Sequence, residues 1–140
     1  MGVTLTANNS EYSFDMGYGG FFNLRRNIAL ALDSEFGDNY AQIIKCFSEE
    51  AQKLNDIQAE EIINRKGLDK DFADVLDFLY GSDCSGETGH RTCKKILDLI
   101  KDMEFTDKGF RYGAYRHNDW EEFKAFLQEC YTKRRKMRWY

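Results

Sequence analysis

Apolar residues recur at helical spacing through most of this chain, and no other feature constrains its fold as strongly. Several segments place apolar side chains three and four residues apart, and the chain contains no proline that would interrupt a helix. The spacing predicts about six helices, one of them carrying the apolar stripe from Tyr40 to Leu54. The residues expected in the core are Leu24, Ile28, Ile44, Phe47, Leu76, Leu79, Ile96, Ile100, Phe123 and Leu127.

Two short runs near the start alternate in polarity as strands do. Val3 and Leu5 alternate with threonines, Tyr12 and Phe14 alternate with polar residues, and the segment 7–10 between them is typical of a turn. A third alternating run lies near 110–115, and we expect it to join the hairpin. The sequence therefore predicts an α+β, mostly helical fold with a small antiparallel sheet made from the hairpin and the strand near 110–115.

The length and charge of the chain narrow the classes of protein it can belong to. A chain of 140 residues can bury one hydrophobic core, so residues 1–140 are expected to form a single domain. No apolar run reaches 18 residues and the start does not resemble a signal peptide, which predicts a cytoplasmic protein without membrane contact. The net charge is −4, but Asp33–Glu87 holds 14 acidic and 5 basic residues. Such a surface suits a basic protein partner, whereas the basic residues of 133–138 are too few to predict nucleic-acid binding.

The inventory of nucleophiles and bases is small. Three cysteines, Cys46, Cys93 and Cys130, fall on apolar stripes and are expected in the core, while Cys84 lies in a Gly/Ser-rich loop. Cys84 with His90 is conceivable as the dyad of a hydrolase, although no orienting third group stands out. We predict no catalytic residue, no metal site and no cofactor, and keep the Cys84/His90 hydrolase as an alternative.

A glycine-rich segment leads from the second predicted strand into the first predicted helix. Glycines let a backbone approach a ligand closely, and the start of a helix offers free N–H groups to an anion. Two arginines follow about one and a half turns into that helix, where a guanidinium can pair with a phosphate or carboxylate. A tight strand-to-helix turn would use the same glycines. The predicted ligand-binding residues are Gly17, Tyr18, Gly19, Gly20, Phe22, Arg25, Arg26 and Tyr115, with the aromatic side chains stacking on an attached base.

Large aromatic residues close the sequence as Met137-Arg138-Trp139-Tyr140. Chain ends are mostly poorly ordered and gain nothing from such residues, so Trp139 and Tyr140 are expected to pack onto the domain or onto a second subunit. This predicts a dimer or a larger homo-oligomer.

Two motifs together resemble those of one protein family. They are Gly17-Tyr18-Gly19-Gly20-Phe21 and the later Ser82-Asp83-Cys84-Ser85-Gly86-Glu87. The chain resembles a family of small, uncharacterised proteins from bacteria and their phages, over roughly residues 12 to 130. The resemblance implies a phage or mobile-element protein that acts by binding. It would sequester an anionic, nucleotide-like defence signal or inhibit a host or defence protein through its acidic helical surface.

Overall fold

The computed structural model describes residues 2–105, 110 and 117–140. The strands are β1 Gly2–Thr6, β2 Ser13–Gly17, β3 Gly86–Thr88 and β4 Met137–Trp139. The α-helices are α1 Tyr18–Leu32, α2 Ser34–Ala41, α3 Glu49–Lys66, α4 Leu68–Tyr80, α5 His90–Ile100 and α6 His117–Thr132, and a short 3-10 helix spans Gln42–Lys45. The predicted α+β, mostly helical class is confirmed.

The sheet has four antiparallel strands in the order β2-β1-β4-β3. Strands β1 and β2 form the predicted N-terminal hairpin, with Leu5 opposite Phe14. On the other side of β1, Leu5 pairs with Trp139 of β4. The strand predicted near 110–115 lies, apart from Phe110, outside the described residues. The pairing partner that the structure gives to the hairpin is the C-terminal segment.

Helices cover one face of this sheet because the strands alternate buried and exposed side chains. Phe14 of β2 lies at the centre of the core, where its ring is 5.9 Å from Phe110, 6.1 Å from Phe123 and 5.6 Å from Phe126. Such edge-to-face pairs add to the free energy gained from burial. Eight of the predicted core residues are buried, as expected: Leu24, Ile28, Leu76, Leu79, Ile96, Ile100, Phe123 and Leu127.

The core prediction is wrong for Ile44 and Phe47, whose side chains are 58% and 91% exposed. The stripe from Tyr40 to Leu54 is not one helix, because the backbone breaks at residues 46–48 and α3 begins anew. Ser48 caps α3 by accepting a hydrogen bond from the backbone N–H of Ala51, 3.1 Å away. An apolar residue before such a cap usually packs against the fourth helical residue. Here that residue is Gln52, which donates to the Cys46 carbonyl instead.

The cysteine and C-terminal predictions have mixed outcomes. Cys93 and Cys130 are buried and Cys84 is exposed, as expected, whereas Cys46 is only half-buried.

Trp139 packs within its own chain, with its ring centroid 5.8 Å from Phe21 and 5.3 Å from Phe78. The Tyr140 side chain is exposed.

Candidate functional site

Helix α1 places three of the predicted site residues on one face. Gly17 stands before the helix with extended backbone, and the helix begins at Tyr18. Residues three and four apart share a helix face, so Tyr18, Phe22 and Arg25 line up along it. All three line a cavity of about 350 Å³. Arg26 is turned about 100° from Arg25 and does not line this cavity.

Arg25 is the buried charge of the cavity, with only 5% of its surface exposed. Its Nη1 donates to the Gly81 carbonyl at 2.9 Å and its Nη2 to the Ser82 carbonyl at 3.0 Å. The guanidinium carbon lies 4.0 Å from the centre of the Phe21 ring, and Nε has no hydrogen-bond partner. A guanidinium carries five N–H donors. Arg25 therefore keeps donor capacity beyond the two bonds that hold it in place.

No carboxylate in the described part of the chain forms an ion pair with Arg25. Its contacts there are two neutral carbonyls and the faces of aromatic rings. Burial lowers the pKa of Arg25, because removing the guanidinium from water disfavours its charged form. Arginine nevertheless stays protonated in proteins. The cavity thus presents a buried cation that makes no ion pair among these residues, and the carboxylate of Asp83, which also lines the cavity, acts on it only at longer range.

Aromatic rings from α1, α2 and α4 form the walls of the cavity. Phe22 and Tyr40 stack with centroids 5.6 Å apart and planes 9° apart, and Tyr80 lies 5.5 Å from Tyr40. The Tyr40 hydroxyl donates to the Leu79 carbonyl at 2.6 Å. Burial raises the pKa of Tyr40, and it raises the pKa of Tyr80 to about 12. Both phenols are therefore neutral at physiological pH, and flat walls of this kind suit a planar ligand.

The segment after α4 brings polar groups beside the cavity. Asp83 lines it, and the Cys84 thiol donates to the Asp83 Oδ1 at 3.2 Å. The Cys84 sulfur also lies 3.9 Å from the Tyr18 hydroxyl. The hydrogen bond between Cys84 and Tyr18 raises the pKa of Tyr18. In the described ranges no hydrogen bond joins Cys84 to His90, whose ring stacks on Tyr131.

The glycines of the predicted site have different surroundings. A Cβ on Gly20 would lie 2.3 Å from the Phe110 carbonyl oxygen, so this position is glycine because two backbone segments touch there. A Cβ on Gly19 would meet nothing within 4 Å. Neither glycine lines the cavity. Tyr115 lies outside the described residues.

Of the ten residues that line the cavity, sequence reasoning found Tyr18, Phe22 and Arg25 and missed the others. The missed residues are Phe21, Tyr40, Ile43, Leu79, Tyr80, Gly81 and Asp83. Tyr40 and Leu79 fall on apolar helical stripes, which indicate packing rather than a ligand site, and Leu79 is one of the predicted core residues. Tyr80 stands one residue off the stripe of its helix, directly before a helix-ending glycine, and this position was the available signal for a rim residue.

The comparisons with known proteins do not identify a family. The chain matches no protein-family model, no curated protein and no solved structure. The resemblance to small bacterial and phage proteins therefore stays a prediction. Among the residues that the structure describes, no helix is long and apolar enough to cross a membrane. Within the same residues, no three His, Cys, Asp or Glu side chains form a group that could hold a metal ion.

Proposed function

We propose that this chain is a small non-catalytic binding protein that holds an anionic, nucleotide-like molecule in the cavity beside Arg25. The observation that carries the proposal is the buried guanidinium that no carboxylate of the described residues contacts in an ion pair. An anion bound beside it would use the remaining donors. A charge-assisted hydrogen bond of this kind contributes about 1.5–3 kcal/mol to binding.

The size and the walls of the cavity indicate how large the ligand is and which groups it carries besides the anion. A volume of about 350 Å³ is near the lower end of small-molecule sites, which favours a mononucleotide-sized ligand. A base would stack against Tyr80 or the Phe22–Tyr40 pair, and Asp83 would accept a hydrogen bond from an amino or hydroxyl group. The protein would act by sequestration, with no bond made or broken. In a cytoplasmic protein of phage or mobile-element origin, the sequestered molecule would be a defence signal.

Calorimetry with a panel of mononucleotides and cyclic nucleotides tests this proposal. We expect one of them to bind, and Arg25→Ala to weaken its binding about tenfold to a hundredfold. Arg26→Ala is the matched control, because it removes the same charge from the next residue, which does not line the cavity. We expect Arg26→Ala to bind the nucleotide with the same affinity as the wild type.

A second variant covers the case in which Arg25→Ala fails to fold. Tyr80 is half-exposed, so Tyr80→Ala removes a wall of the cavity and costs less stability than truncation of a fully buried ring. We expect it to weaken binding while circular dichroism stays unchanged. Binding by no member of the panel, or equal binding by both arginine variants, would contradict the proposal.

The outer side of α3 supports a second candidate function, inhibition of a host or defence protein. Leu54 and Ile57 are more than half exposed there, and Phe47 lies just before the helix. Glu50 and Glu61 flank the two apolar residues on the same helix face. Aromatic and aliphatic anchors beside acidic residues suit a basic protein partner. Co-purification of one defined host protein with the wild type, lost in Phe47→Ser but kept in Arg25→Ala, would favour this function over the first.

We also propose that the protein forms a homo-oligomer. The apolar side chains at Ile44, Phe47 and Tyr140 are exposed in the single chain, and association would cover part of them. Sedimentation velocity at micromolar concentration should show a dimer or a larger species. A monomer at these concentrations would contradict this proposal without bearing on the cavity.

A further inference from the structure

A second cavity, of about 610 Å³, lies where α6 ends beside the turn of the N-terminal hairpin. Five cationic residues line it: the four consecutive residues 133–136 and Arg138. Asn8 and Asn9 of the hairpin turn complete the lining together with Glu87 of β3, which lies opposite Arg138 in the sheet. We call this cavity the basic groove. It shares no lining residue with the cavity beside Arg25.

Two of the five cations have acidic partners. Arg135 pairs with Glu129 at 2.8 Å and also donates to the Asn9 carbonyl. Lys136 pairs with Glu87 at 3.3 Å.

The remaining three cations have no ion pair in the part of the chain that the structure describes. Arg138 is held by a neutral acceptor, the Asn8 side-chain oxygen, at 3.1 Å. Lys133 and Arg134 are exposed, and no acidic side chain neutralises either of them there. The groove therefore keeps a local excess of about three positive charges on a protein whose net charge is −4.

The backbone of Arg134 has a conformation that usually selects glycine. Arg134 has φ of 53°, and the N–H groups of Arg134 and Arg135 bond back to the carbonyls of Tyr131 and Cys130. This is the pattern of a helix end whose left-handed position is usually glycine. A residue with a Cβ costs about 1 kcal/mol more than glycine in that conformation.

Attraction to the negative end of the α6 dipole does not account for this arrangement. A cation anywhere in the last turn would serve the dipole, and Lys133 already does so without left-handed backbone. Arg138 lies beyond the helix, in β4. Strained residues of this kind are common at ligand sites. The feature shared by Arg134 and Arg138 is the groove that both line.

We propose that the basic groove binds a compact, soluble polyanion carrying two or more neighbouring phosphate groups. Several unneutralised cations around one cavity suit clustered phosphates better than a single one. A long nucleic acid fits less well, because its remote phosphates would face a protein with net negative charge and no aromatic residue lines the groove for a base. This site is independent of the ligand proposed for the Arg25 cavity.

Titration with sodium tripolyphosphate at 0.15 M salt, followed by calorimetry, tests the proposal. We expect binding at sub-millimolar concentration and at least tenfold weaker binding of inorganic phosphate. Arg134→Gly should weaken tripolyphosphate binding about tenfold or more, since it removes a charged donor. The same variant should melt at an equal or higher temperature, since glycine relieves the left-handed strain. Loss of binding with retained or raised stability cannot come from unfolding.

Two further variants and one further ligand complete the design. Lys53→Gln, on the exposed side of α3, is the charge-matched control and should bind tripolyphosphate as the wild type does. Arg138→Gln should weaken binding without a change in the β4 pairing. Unchanged affinity in both Arg134→Gly and Arg138→Gln would overturn the proposal, as would the absence of tripolyphosphate binding. Tighter binding of a 20-nucleotide single strand than of tripolyphosphate would overturn it in favour of a nucleic-acid surface.

Discussion

Adjacent residues of α1 have very different surroundings, and the difference follows from 100° of helix rotation. Arg25 enters the interior, where carbonyls and aromatic faces hold its guanidinium. Arg26 does not line the cavity, although its neighbours in the sequence are nearly the same as those of Arg25. Gly19 and Gly20 differ in the same way, since one faces open space and the other touches the backbone of Phe110. The residues of this glycine- and arginine-containing motif therefore have different roles, and each must be assigned separately.

The glycine pair can be tested directly by adding a methyl group to each position. Gly20→Ala places a Cβ 2.3 Å from the Phe110 carbonyl oxygen, so we expect a loss of about 1–3 kcal/mol in the free energy of unfolding. Gly19→Ala meets no neighbour and should stabilise α1 by about 0.5–1 kcal/mol, because alanine loses less backbone entropy. Urea denaturation of both variants measures this. Equal effects of the two substitutions would contradict the assigned contacts.

A second pair compares one residue type inside and outside the core. Ile96 is fully buried on α5 and Ile44 is 58% exposed. Ile96→Ala should lower the free energy of unfolding by about 2–5 kcal/mol, through lost burial and a cavity. Ile44→Ala should change it by less than about 0.5 kcal/mol. Thermal melts of the two variants, measured side by side, check this. A large loss of stability in Ile44→Ala would contradict the exposure of this side chain.

At the scale of elements, the start of α2 is tied to the end of α3. Asp33 caps α2 by accepting from the Phe36 N–H at 2.9 Å, and it also pairs with the Lys66 ammonium at 3.0 Å. Glu35, in the same first turn, pairs with Arg65. Acidic residues at a helix start and basic residues at a helix end each suit the local dipole, so these pairs favour the packing of the two helices.

This junction should depend on pH. Burial would raise the pKa of Asp33, but the Phe36 N–H and Lys66 outweigh it, so the net pKa is lowered. A lowered folded-state pKa means that the carboxylate stabilises the fold above its unfolded value, near pH 4, and stops doing so as pH falls through the folded value. Asp33→Asn keeps a capping oxygen and loses the ion pair. We expect it to lower the free energy of unfolding by about 1 kcal/mol at pH 6.

Urea denaturation of the wild type and Asp33→Asn between pH 6 and pH 3 measures this dependence. The difference between the two proteins should shrink as the pH approaches 3. A difference that stays constant over this range would contradict the role of the ion pair.

At the scale of the whole molecule, β4 joins the sheet to the cavity beside Arg25. Trp139 donates from its indole N–H to the Ser82 carbonyl at 2.9 Å, and its ring lies 5.4 Å from the Arg25 guanidinium. Arg25 bonds to the same Ser82 carbonyl. The segment 81–82 is thus held from two sides, by a cation of α1 and by an aromatic ring of β4.

Replacing Trp139 should loosen both the fold and the site. Trp139→Phe removes the hydrogen bond and part of the ring that packs on Phe21 and Phe78, so we expect a loss of about 1–3 kcal/mol in the free energy of unfolding. The 81–82 segment should also exchange its backbone amides faster. Trp120→Phe is the matched control, since Trp120 is equally buried but packs against Phe105 and Phe123. Faster exchange at 81–82 in that control would contradict the specific role of Trp139.

The fold class could be predicted from the sequence because helical periodicity and strand alternation are local signals. Leu76 and Ile96 lie on stripes that their own helices define, and both are buried. The break at residues 46–48 was missed because apolar residues continue across it, and only the capping of α3 by Ser48 distinguishes one helix from two. The pairing of β4 with β1 was missed because contacts between residues 5 and 139 leave no local trace. The cavity was predicted only in its α1 part for the same reason, since α2 and α4 reach it only through tertiary packing.

The position of β4 between β1 and β3 sets the order in which the chain can fold as it is synthesised. The N-terminal hairpin is complete after about 17 residues, but the free side of β1 has no partner until residues 137–139 emerge. At ordinary translation rates that delay is on the order of ten seconds. An unpaired strand edge invites pairing with other chains. The nascent protein is therefore exposed to misassembly while residues 18–136 are being made, before Trp139 reaches Arg25 and helps to hold the segment 81–82.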